Sequence, residues 1–131
     1  MDETFAEVVP AKRRRDAVTL LAMMRKITGE DPVVDRGIVG FGSYHYRYAS
    51  GREGDAPAAA FSPRKAAMSI YLPDGIDAHA AALETLGPHT SGVGCLYVKD
   101  LEACDLGVLR GIIERSYRTA IAGITANPAR E

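Results

Sequence analysis

Apolar residues recur along the chain in two periods, and the points where the period changes divide it into elements. Ala17, Leu20, Leu21, Met24 and Ile27 share one face of a helix, which Gly29 and then Asp31-Pro32 bring to a stop. From Val33 onward the pattern is that of strand. Val33–Val39 leads into Tyr44-His45-Tyr46-Arg47-Tyr48, residues 50–55 form a turn by composition, and the chain is expected to return through Ala58–Phe61. Ser62-Pro63-Arg64-Lys65 makes the next turn, after which Met68, Ile70 and Leu72 alternate onto one face of a strand. A short alanine-rich helix over 78–86 and a strand over 93–98 follow. The last helix, over 106–122, carries Leu106, Leu109, Ile113, Tyr117 and Ala120 on one stripe, with Asp105 as its N-cap.

This order, with its short connections, predicts an α+β domain of two layers. A mainly antiparallel sheet of about four to five strands would have its helices packed on one face. So few helices leave the other face partly open to a ligand, a partner or a second copy of the chain. The 131 residues suffice for one domain, expected over 12–124, with a flexible leader over 1–11 and a tail over 125–131.

Composition narrows the function classes. Hydrophobic residues make up 47% and charged residues 25%, with a net charge of −1, so no global field draws the chain toward nucleic acid. The acidic N-terminus does not resemble a secretory signal, and no apolar run reaches the length of a membrane span. Cys95 and Cys104 fit neither a disulfide framework nor a zinc motif; a cytoplasmic protein with reduced thiols is expected. The run Lys12-Arg13-Arg14-Arg15 opposes the dipole of the helix it opens and reads as a solvated helix end. His45, His79 and His89 are far apart in sequence and predict no metal site. Pairing Cys95 or Ser62 with His45 or His89 would give a nucleophile and base, but no elbow motif flanks either one, and a non-enzymatic domain is expected.

Candidate chemistry concentrates in the tyrosine-rich strand. Alternation puts Tyr44, Tyr46 and Tyr48 on one face and His45 and Arg47 on the other. The tyrosines either pack against helices or line a ligand or subunit surface, which Gly40 and Gly42 would let another group approach. Arg52, Arg64 and Lys65 stand in neighbouring turns with Ser62, and their side chains suit a carboxylate or phosphate. With Tyr71 from the next strand, the candidate site is Tyr44, Tyr46, Arg47, Tyr48, Arg52, Ser62, Arg64, Lys65 and Tyr71, and the expected ligand is a small anion.

Several blocks together resemble the YdhG-like family: Gly40–Tyr48, Ser50–Gly54, Phe61–Lys65, Ile70–Leu72, Leu86–His89 and Cys95–Lys99, with the 105–116 helix. The resemblance covers residues 13–117. It implies a small α+β fold of the secretion-chaperone type in a family of unknown function, one branch of which is described as a frataxin-like iron chaperone. An iron-carrying role and a homodimer using the open sheet face are therefore alternative expectations. For iron, Asp100, Glu102 and Asp105 make a thin acidic ridge. The chain departs from the family at Asp55-Ala56-Pro57-Ala58, where a bulky residue is usual. It departs again at Pro88-His89-Thr90-Ser91, where lysines are usual.

Overall fold

The computed structural model describes residues 10–47 and 50–123. Helix α1 (Ala11–Thr28) ends as its sequence predicts. Gly29 adopts φ 70°, a left-handed conformation that glycine takes at little cost, and its N–H donates to the Arg25 carbonyl at 2.8 Å. Strands β1 (Val33–Asp35), β2 (Ile38–Phe41), β3 (Tyr44–Arg47), β4 (Glu53–Ala56), β5 (Ala59–Pro63) and β6 (Met68–Tyr71) follow. A 3-10 turn (Ile76–His79) leads into α2 (Ala80–Leu86). Then come β7 (Thr90–Ser91), β8 (Cys95–Val98), a second 3-10 turn (Leu101–Ala103) and α3 (Leu106–Ile121). Asp105 caps α3 by accepting the Val108 N–H at 3.1 Å.

The fold is α+β, with three helices, a six-stranded antiparallel open sheet in the order β1-β2-β5-β6-β8-β7, and a separate β3–β4 hairpin. The strand count exceeds the expected four to five for local reasons. The stretch from Val33 to Arg47 is broken twice. Arg36 and Gly37 at φ 54° and 80° make a two-residue turn that folds β1 back onto β2. Gly42, at φ 66°, then ends β2, so the tyrosines leave the main sheet for their own hairpin. The returning strand divides in the same way, β4 pairing with β3 and β5 with β2 and β6. Finally, β7 adds a two-residue edge to β8.

The main core lies between helices and sheet. Register aligns Val39 with Phe61, Phe61 with Ile70, and Ile70 with Leu96, a buried apolar row across four strands. Against it pack Leu20 and Met24 of α1 and Leu109 and Ile112 of α3. Burying one such side chain stabilises by roughly 1.5–3 kcal/mol.

The basic run at the start of α1 is not solvated throughout. Arg13 is 2% exposed; its guanidinium donates to the Arg64 carbonyl at 2.8 Å and the Lys99 carbonyl at 2.6 Å. Asp16, equally buried, accepts the Leu101 N–H at 2.9 Å and pairs with Arg15. These bonds satisfy backbone groups at two chain turns, which repays the unfavourable placement of charge at a helix start. The sequence period shows that a helix begins here, but not which distant carbonyls await it.

Candidate ligand-binding cleft

Every second residue of the central strands faces away from the helix-packed core. Register places Val33 opposite Gly40, Gly40 opposite Ala60, Ala60 opposite Tyr71, and Tyr71 opposite Cys95. The row is bulky at Val33 and Tyr71 and small at Gly40 and Ala60, which are themselves buried, so a shallow trough lies between them. With strands ~4.8 Å apart, its walls stand roughly 14 Å from each other at the backbone. Pro57, from the link between β4 and β5, leans over one end. A Cβ added at Gly40 would lie 2.9 Å from the Pro57 ring, so glycine is needed there for close approach rather than for its dihedral freedom.

The result is a half-open cleft of about 660 Å³, lined also by Ile38, Ser43, Ala56, Leu72, Pro73 and Gly94. Its charged lining residues are Asp35 and Asp55; the described lysines and arginines do not line it. Asp55 is shared with the β3–β4 hairpin, where its carboxylate lies 3.0 Å from His45 Nδ1, and Glu53 lies 2.8 Å from His45 Nε2. The hydrogen bond to Asp55, and next the one to Glu53, raise the His45 pKa above its ordinary 6.5.

Of the residues expected to form the site, Tyr71 lines the cleft. Tyr44 and Tyr46 are each 6% exposed and form a second apolar cluster with Ala56, Ala58, Ala120 and Tyr117. Tyr46 lies over Gly54, its cross-strand neighbour, with its hydroxyl 2.8 Å from where a Cβ would stand. Tyr48 lies outside the described residues. Arg47 faces water, 3.8 Å from Glu53. Ser62 is buried, its hydroxyl donating to the Gly37 carbonyl at 2.7 Å. Arg52 stands before β4 in the β3–β4 turn, and Arg64 and Lys65 stand after β5 in the β5–β6 turn; none of the three lines the cleft.

Nor does the structure assemble the other candidates. His45 is held by two carboxylates, and His89 Nδ1 donates to the Gly87 carbonyl at 2.7 Å. Asp100 and Glu102 pair with Arg15, while Asp105 caps α3. Among the described residues, no three or more His, Cys, Asp or Glu side chains are grouped to hold a metal ion.

Two features escaped the sequence. Asp35 and Asp55 at the cleft lacked any local motif, although the run Ala58-Ala59-Ala60 beside Gly40 is a signal of small residues where a covered sheet face would need large ones. The other is a buried polar tether. Asp74 accepts hydrogen bonds from His79 Nε2 at 3.0 Å and from the Ser116 hydroxyl at 2.7 Å, joining the turn after β6 to α3. Burial pushes the Asp74 pKa up, but the bonds from His79 and Ser116 outweigh it and the net shift is downward. His79 Nδ1 is buried without a hydrogen-bond partner among the described residues.

Among the described residues no helix is long and apolar enough to cross a membrane. Comparison with protein-family models, with curated proteins and with solved structures finds no match for the chain.

Proposed function

We propose that the chain is a cytoplasmic, non-enzymatic binding module of the YdhG-like type. Its helices form one layer on the sheet, and a small ligand enters the cleft on the other face. The trough between Val33 and Tyr71, floored by Gly40 and Ala60, carries this reading. Its volume of about 660 Å³ falls in the range usual for small-molecule sites, and its mostly apolar lining with a few polar groups is also typical. Gly40, Gly42 and Tyr71, which belong to blocks resembling the family, all line it. The anionic ligand expected from the basic turns gains no support at the cleft, whose charged lining is acidic.

A panel of small neutral, anionic and cationic aromatic compounds, followed by amide NMR, tests the proposal. Shifts should centre on Gly40, Ala60 and Gly94 and disappear in Ala60→Leu, which fills the floor. Shifts scattered over the surface, or surviving a folded Ala60→Leu, would refute it.

A homodimer is the second reading, favoured by β1. This edge strand exposes Val33 at 70% and Val34 at 50%, an arrangement that invites pairing with another strand. Sedimentation should then show concentration-dependent association that Val34→Lys abolishes; a monomer at every concentration would exclude it.

A further inference from the structure

The charge and the aromatic wall of the cleft narrow the ligand class. This step rests on the binding-module reading above. We propose that the cleft selects a small organic cation: an aromatic or aliphatic body bearing an ammonium group. Asp35 and Asp55 put two carboxylates on its lining, and Arg36, next to Asp35, is not part of that lining. Asp55 is hydrogen-bonded to His45, whereas Asp35, exposed on β1, has no ion-pair partner among the described residues. Diagonally across the sheet, at the far end of the row Val33, Gly40 and Ala60, Tyr71 presents a half-buried ring to the cleft. An ammonium is drawn to the Asp35 carboxylate, with the apolar body extending toward the Tyr71 wall, while a carboxylate or phosphate ligand would meet repulsion from Asp35. The apolar body of the ligand would lie along Ile38, Ala60 and Pro57. The trough, roughly 14 Å between its walls, accommodates one ring and a short amine arm.

Phenethylammonium, phenethyl alcohol and hydrocinnamate share one body and differ in charge, so together they separate the class from the cleft. Titrations followed by amide NMR at low salt should rank them cation, alcohol, anion. Asp35→Asn should weaken the cation about fivefold, as expected of a rim-exposed ion pair, and leave the alcohol unchanged. Added salt should weaken the cation alone. Tyr71→Leu, which keeps an apolar wall far from Asp35, should leave the preference for cation over alcohol unchanged. Equal binding of all three at the cleft amides, or an unaltered cation-to-alcohol ratio in Asp35→Asn, overturns the cation assignment and leaves the cleft standing. If none of the three moves the cleft amides of the folded protein, the assignment and the binding-module reading fall together.

Discussion

Phe61 and Ala60 are neighbours in β5 and point to opposite sides of the sheet. Phe61 stands in a row with Val39, Ile70 and Leu96, all of them buried and apolar, under the helices. Ala60 stands in a row with Gly40, Tyr71 and Cys95 along the floor of a cleft. Large side chains fill the first side; on the second, Gly40 and Ala60 are small and themselves buried, with the Pro57 ring over Gly40. One face thus supplies the core, while the other lines the cleft. The sharpest way to break this division is to measure both sides. Phe61→Ala should cost about 3–5 kcal/mol in denaturant unfolding, the usual penalty for emptying a packed aromatic site. Tyr71→Ala should cost less, on the order of 1–2 kcal/mol, because the side chain is only partly buried. Equal losses would mean that the cleft side is as much a part of the core as the helix side.

Buried and exposed carboxylates extend the same contrast. Asp16 is 1% exposed and accepts the Leu101 N–H, whereas Asp35 sits exposed on an edge strand. Asp16→Ala should therefore destabilise by about 1–3 kcal/mol, leaving the buried Leu101 amide without its acceptor while Arg15 keeps Asp100 and Glu102. Asp35→Asn should change stability by less than about 0.5 kcal/mol. Thermal unfolding of the two variants distinguishes these outcomes, and a neutral Asp16→Ala would show that the α1 tether is dispensable.

The helical stripes, the Gly29 stop, the Asp105 cap and the alternation of β6 could be read directly from the sequence, because each depends on residues within one or two turns of one another. The hydrophobic period also fixed which tyrosines share a face. What the period could not supply was the partner of that face: Tyr44 and Tyr46 meet α3 some seventy residues later, by a hairpin that begins only because Gly42 leaves the sheet. The expected basic turns flank β4 and β5 and lie outside the cleft lining, because the chain passes through two different sheets between Arg52 and Arg64. The cleft was hidden because it is built from what is missing, side-chain volume at Gly40 and Ala60, and a small residue carries no motif. Asp74, His79 and Ser116 were invisible for the plainest cause: they are joined only in three dimensions.

Each side of the comparison has its own histidine with carboxylate company, and pH should separate them. Asp74, held below its ordinary 3.8, contributes stability that is present above that value and lost as pH falls through its lower folded pKa. Ser116→Ala removes one of the two side-chain bonds that hold it there. The variant should be less stable by about 1 kcal/mol at neutral pH, and the gap should close in acid as Asp74 is protonated in both proteins. Denaturant midpoints measured from neutral pH into the acid limb test this; a gap that persists unchanged in acid would assign the loss to packing instead.

The smallest effect belongs to His45, and its sign is opposite. Its folded pKa is raised by Asp55 first and Glu53 second, so its contribution to folding is present below 6.5 and is lost as pH rises through the folded value. The three side chains are exposed, at 54% for His45, 47% for Glu53 and 77% for Asp55, so water and salt screen the pairs and global stability should scarcely respond. The observable is local: an NMR titration of the imidazole should give a pKa above 6.5, lowered more by Asp55→Asn than by Glu53→Gln, with melting unchanged in both. Because Asp55 also lines the cleft, those substitutions have a second consequence. Asp55→Asn removes a charge from the lining and alters one of the two His45 bonds, whereas Glu53→Gln alters the other bond without touching the lining. A change in cleft binding confined to Asp55→Asn would tie the hairpin to the ligand through that carboxylate. An equal change in both would place the effect in the hairpin's geometry, and the charge contrast between the two sides of the sheet would lose its second acid.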